Sequence, residues 1–106
     1  MQFEFTDPRI LENYRDLALA ITMQECKEYY RRRCVLKTHR GSNRVWYENG
    51  VKRMRQHLIT NSWGSMMGVD MESVVNELDR RANNSEPMSW GRFVNTANNK
   101  FTKGSV

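Results

Sequence analysis

From Arg9 to Arg40 the chain contains no glycine or proline, and its apolar residues recur at helical spacing throughout. Ile10, Tyr14, Leu17 and Ile21 succeed one another at intervals of four, three and four. Leu19, Met23, Cys26, Tyr30 and Cys34 form a second stripe with nearly the same period. Two adjacent stripes predict a helix with a broad buried face. Asp7 suits the N-cap, and Pro8 suits the first helical position, where its missing N–H would have had no partner. His39 and Arg40 suit the negative end of the helix dipole, and Gly41 suits a left-handed residue just past it. The helix is therefore expected over residues 8 to about 39, roughly 47 Å at about 1.5 Å per residue. A chain of 106 residues then has enough left for one domain, in which the remainder folds back along this helix.

The rest of the sequence reads as shorter helices. GSN at 41 to 43 is a turn, with Ser42 or Asn43 able to cap the next helix. That second helix is expected over about 44 to 60, antiparallel to the first because the linker is short. Its apolar positions are Val45, Trp46, Val51, Met54, Leu58 and Ile59, and Gly50 weakens it by about 1 kcal/mol relative to alanine. NSWGSMMGVD reads as one tight helical turn, capped by Ser62 and ended by Gly68. Asp70 then caps a helix that turns Met71, Val74, Val75 and Leu78 inward. NNSEP is a break, Pro87 opens a short helix carrying Trp90, Phe93 and Val94, and the end is expected to fray. The expected fold is all-α: a long N-terminal helix, an antiparallel second helix, and two or three short helices forming a small bundle. Residues 1–84 make the helical domain and 85–106 an extension. The core is assigned to Tyr14, Leu17, Ile21, Trp46, Met54, Leu58, Trp63, Met67, Val74 and Leu78.

The charge distribution narrows the function more than the total does. Of seventeen Lys and Arg residues, ten fall between Lys27 and Arg55, against only Glu28 and Glu48, a local surplus of eight; the remainder of the chain carries a deficit of three. Arg31, Arg32 and Arg33 point in three directions, about 100° apart on a helix. Glu28 is placed to pair with Arg32. In an antiparallel hairpin Arg33, Lys37, Arg40 and Arg44 gather near the tip, with Lys52, Arg53 and Arg55 further along. These nine cations, from Arg31 to Arg55, are the candidate partner-binding residues.

Signatures of chemistry are sparse. Cys26 and Cys34 would lie roughly 12 Å apart along one helix, too far for a disulfide. No CxxC or HxxxH spacing points to zinc. His39 is five residues from Cys34, the wrong angular offset for a Cys–His pair. Glu12 and Asp16 share a helix face, as solvated carboxylates near a helix start often do. GSMMG lacks the lysine of a phosphate loop. No catalytic, metal or cofactor site is assigned. No apolar run approaches the roughly eighteen residues of a membrane span, and the acidic, amphipathic N-terminus is not a secretory signal. A cytoplasmic protein with reduced thiols is expected.

The succession DLALAITMQECKEYYRRR, a basic helix, and NSWGSMMGVDMESVVNELDRR resembles a group of small proteins from phages and prophages of Gram-positive bacteria. The matching positions are Asp16, Leu17, Ala18, Ala20, Ile21, Cys26, Glu28, Tyr29, Ser62, Trp63, Gly68, Asp70, Val74 and Leu78, within residues 16 to about 82. Most of them concern packing and capping, and the group lends no activity to any residue. The resemblance implies a setting: a small accessory protein of a mobile element in the bacterial host cytoplasm, where proteins of this size often inhibit host defence, anti-CRISPR proteins among them.

Three readings of the basic segment stand side by side. It is a solvated helix end, a phosphate-contacting face for DNA or RNA, or a docking face for a host protein or ribonucleoprotein complex, rich in the Arg, Tyr, Trp and Met of interface hot spots. A basic inhibitor does not mimic DNA charge; it has to cover a guide-RNA or acidic protein surface, or lock a conformation. The function expected from the sequence is a non-catalytic, phage-encoded inhibitor that binds a host defence nuclease complex, either a Cas effector or its guide-RNA surface. A basic nucleic-acid-binding accessory protein is the alternative. Partner identity and oligomeric state stay open.

Overall fold

The computed structural model describes residues 8–93 and, within them, the side chains of residues 12–93. Asp7, Val94 and the expected frayed end lie outside the described residues. Four helices are assigned among those described: α1 (Pro8–Thr38), α2 (Arg44–Thr60), α3 (Trp63–Met66) and α4 (Met71–Asn83), with no strand. Residues 90–93 add one further helical turn. The all-α bundle built on a long first helix is thus the observed architecture.

Contacts fix the directions of the helices. Arg44 Nη1 donates to the carbonyl of Leu36 at one end of the α1–α2 pair, and His57 meets Glu25 at the other, so α2 runs antiparallel to α1. Asp79 pairs with Arg33, and Asn83 accepts from Arg33 one turn further on, while Gly64 and Met71 lie at Thr22; α4 therefore runs parallel to α1. Three helices enclose a core of Cys26, Tyr29 and Leu36 from α1, Val51 and Leu58 from α2, and Met71, Val74, Val75 and Leu78 from α4, closed by Phe93. The inward face read from sequence for α4 is the observed one.

The two caps read for α3 and α4 form. Ser62 Oγ accepts from the amide of Ser65 at 3.1 Å, and Asp70 Oδ1 accepts from the amide of Ser73 at 3.3 Å. Gly68 ends the α3 turn at φ 87°, a conformation glycine adopts without a Cβ penalty. Two other local expectations need correction. Gly41 has no positive φ, because the end of α1 is satisfied differently: the Arg44 guanidinium donates to the carbonyls of both Leu36 and His39. Asn43 precedes α2 without capping it, since its side-chain oxygen is taken by His39 Nε2 at 2.8 Å.

The predicted core requires a larger correction. Leu58, Val74 and Leu78 are buried and Met54 and Met67 half-buried, but Tyr14, Leu17, Ile21, Trp46 and Trp63 are exposed. Helix α1 turns Ala18, Thr22, Cys26, Tyr29 and Leu36 inward, so that of the two expected stripes only the second borders the core, with Cys26 buried and Met23 and Tyr30 half-buried against it. The reason is steric. Gly64 lets α3 approach so closely that its amide donates to Thr22 Oγ1 at 2.9 Å, which draws the small residues into the contact and rotates the bulky ones away. In α2, Tyr47, Val51, Met54 and Leu58 make the packed stripe, spaced four, three and four, and leave Val45 and Trp46 outside it.

Candidate interaction surface

The nine cations read from sequence divide into three groups. The first group is consumed locally. Arg31 and Arg32 both donate to Glu28, at 2.6 and 2.9 Å, and these bonds hold the Glu28 carboxyl down at about 2. The Glu28–Arg32 pair expected from spacing is present, with Arg31 added.

The second group builds the scaffold from inside. Arg33 lies on the line of α1 that also carries Tyr29 and Leu36, and its side chain is only 23% exposed. Its Nε donates to Asp79 Oδ1 at 3.0 Å and its Nη2 to Asn83 at 2.7 Å. Arg55 reaches the other oxygen of Asp79 at 3.3 Å and Asn76 at 2.6 Å. The buried Tyr29 hydroxyl completes the cluster by donating to Asp79 at 2.5 Å. Burial first, and then the Asp79 hydrogen bond, push the Tyr29 phenol above its ordinary range. One carboxylate thus joins α1, α2 and α4. Lys37 donates to the Asn83 carbonyl at 2.7 Å and to Ser85 Oγ at 2.6 Å, closing the C-terminal end of α4. Arg44 closes the end of α1 and also pairs with Glu48 at 3.0 Å.

The third group is Arg40, Lys52 and Arg53, which are exposed and have no ion-pair partner among the described residues. They accompany two apolar side chains of α2 that stay outside the core. Trp46 is 66% exposed and Val45 67%. Seven residues separate Val45 from Lys52 and Trp46 from Arg53, about two helical turns, so each pair lies on one line of α2. Gly50 lies one turn beyond Trp46, and a Cβ there would meet open space. The rings of Trp46 and Tyr47 meet at 5.6 Å edge to face, and Tyr47 and His39 at 4.9 Å, which sets an aromatic row along the hairpin tip. Tyr29 is buried and takes no part in that row.

The groups suited to other chemistry are placed apart. Cys26 is buried, and burial with Glu25 nearby pushes its thiol up to about 12, so it packs as a small apolar side chain. His57 is bonded to Glu25 and His39 to Asn43, neither to a cysteine. Among the described residues no three His, Cys, Asp or Glu side chains converge on a metal position, and no helix is long and apolar enough to cross a membrane. Compared with family models, curated proteins and solved structures, the chain matches none of them.

Proposed function

We propose that the protein is a small non-catalytic inhibitor that docks on a host defence nuclease complex through the outer face of α2. The observation that carries this reading is the exposure of Trp46 and Val45 on the same lines of α2 as Arg53 and Lys52, cations with no internal counter-charge among the described residues. An aromatic anchor flanked by arginines is the usual composition of an interface hot spot. Three unpaired cations of nine are few for a protein that lives on phosphate contacts: they predict a salt slope of only about −3 on duplex DNA, at about −0.9 per neutralised phosphate. Exposed apolar mass favours a partner with apolar surface of its own, such as a protein or a protein–RNA complex. The nuclease as target, and the phage setting, rest on the resemblance of residues 16 to about 82 to phage and prophage proteins.

The test is guide-directed DNA cleavage by a reconstituted CRISPR effector complex, with and without the protein. Inhibition is expected from the wild type. It should be lost in a Trp46→Ala, Arg53→Glu double variant that keeps its helical circular dichroism, and kept in Arg32→Gln, whose guanidinium already pairs with Glu28. Absence of inhibition across effector types would refute the reading. The aromatic row at the tip favours the alternative, a nucleic-acid-binding accessory protein, because bases stack on such rings. Steep salt-dependent binding to naked single-stranded DNA or RNA, lost on Trp46→Ala, would establish that alternative instead.

A further inference from the structure

Helices α1, α2 and α4 leave a groove of about 520 Å³ on the side of Asp79. Five cations line it, Arg33, Lys37, Arg44, Lys52 and Arg55, against two carboxylates, Glu48 and Asp79. The carboxylates are committed. Glu48 is paired with Arg44, and Asp79 is held by Tyr29, Arg33 and Arg55 together. Arg33 and Arg55 share one counter-ion, Lys37 is bonded only to neutral oxygens, and Lys52 has no ion-pair partner among the described residues. The groove therefore concentrates a surplus of three positive charges in a chain whose whole net charge is +5. The Nη1 groups of Arg33 and Arg55 have no acceptor among the described residues, and the bonds made by the rest of each guanidinium hold them in place. Two buried apolar side chains, Leu36 and Val51, also line the groove. A pocket with an apolar part and a fixed cationic part suits a ligand with both characters, and its size lies within the range of about 300–1,000 Å³ usual for small-molecule sites.

We propose that this groove binds ligands bearing two or more adjacent phosphates, with a nucleoside di- or triphosphate as the ligand class: the phosphates meet the Arg33, Lys37, Lys52 and Arg55 side chains, and the base lies against Leu36 and Val51. This goes beyond docking by the outer face of α2: Lys52 borders both surfaces, but the groove's other residues differ from Val45, Trp46 and Arg53. A spread-out anion would not satisfy so local a surplus, whereas adjacent phosphates match its density.

Isothermal titration calorimetry of the full chain tests it, with pyrophosphate, ATP and adenosine as probes at near-physiological salt. One-to-one binding is expected for pyrophosphate and ATP, with ATP the tighter, and none for adenosine. Lys52→Gln should weaken pyrophosphate about tenfold, the scale of one charge-assisted hydrogen bond. Arg53→Gln, the neighbouring residue with the same charge change but outside the groove, should leave it unaltered. Both positions are exposed and lack an ion pair among the described residues, so neither variant threatens the fold. Equal weakening by the two variants would mean that only diffuse potential is felt, and would overturn the site. Absence of saturable pyrophosphate binding would overturn it as well. A short single-stranded oligonucleotide that binds tighter than ATP and is displaced from the Trp46 face, not from the groove, would also count against it. Cleavage inhibition reads the outer face independently, so the two proposals fail separately.

Discussion

Gly64 and Gly50 are both helical glycines, and their surroundings give them opposite meanings. A Cβ on Gly64 would lie 2.8 Å from Thr22 Cγ2 and 3.0 Å from Met71 Sδ, at the point where α1, α3 and α4 meet. Gly64→Ala should therefore destabilise the protein by about 1–3 kcal/mol, the cost of overpacking a close contact, read as a lower urea midpoint. A Cβ on Gly50 meets nothing, and α2 runs through it unbroken. Gly50→Ala should stabilise by about 0.5–1 kcal/mol through helix propensity alone. The cysteines differ in the same manner. Cys26 is 2% exposed with its thiol pushed up to about 12, whereas Cys34 is only partly covered. A thiol reagent at mildly alkaline pH should modify Cys34 in the native protein and reach Cys26 only after unfolding, which mass spectrometry of labelled peptides resolves. Sequence spacing places both thiols on one helix; which of them is covered depends on how α4 lies across α1.

Between elements, polar contacts act as much as apolar ones. Asp79 touches both α1 and α2 from α4, through Tyr29, Arg33 and Arg55. Asp79→Asn keeps the shape and removes the charge that two guanidiniums share. It should cost about 2–3 kcal/mol, the range for losing hydrogen bonds to a charged partner where the counter-charges are partly buried. The measurement is chemical denaturation, and Glu72→Gln in the exposed first turn of the same helix is the comparison for loss of one charge, expected at only about 0.3–1 kcal/mol from the helix dipole. The basic run that marks this region in the sequence thus has two uses. Arg33, Lys37, Arg44 and Arg55 hold helix ends and helix pairs, whereas Arg40, Lys52 and Arg53 make no ion pair among the described residues. Linear charge counting cannot separate these groups, because Asp79 and Asn83 lie 46 and 50 residues from Arg33 along the chain.

At the scale of the whole molecule, the acid limb of stability comes from local pairs. Arg31 and Arg32 hold Glu28 at about 2, and Arg80 with Arg81 hold Glu77 at about 2, both below an ordinary value near 4.5. A carboxyl whose folded pKa is depressed contributes fully above its unfolded pKa and loses that contribution as pH falls through the folded one. Thermal midpoints should therefore be flat above about pH 4.5 and fall between there and about pH 2, with Glu77→Gln flattening part of the decline. Both carboxylates are partly solvated, so the effect is modest. What the sequence by itself determined was the set of elements: the long first helix, the second helix at 44 to 60, the Ser62 and Asp70 caps, the Gly68 turn and the inward face of α4. These arise from interactions within a few residues, namely periodicity, capping and backbone freedom. What only the tertiary structure decided was which stripe of each long helix faces inward. Bulk alone points to Tyr14, Leu17, Ile21, Trp46 and Trp63, and all five are exposed. The helices pack through Ala18, Thr22 and Gly64 because close approach needs small side chains, and closeness is a property of a pair of helices that neither carries alone. The same rotation that buries Tyr29 and Arg33 leaves Trp46 outside and gathers charges from three helices into one groove.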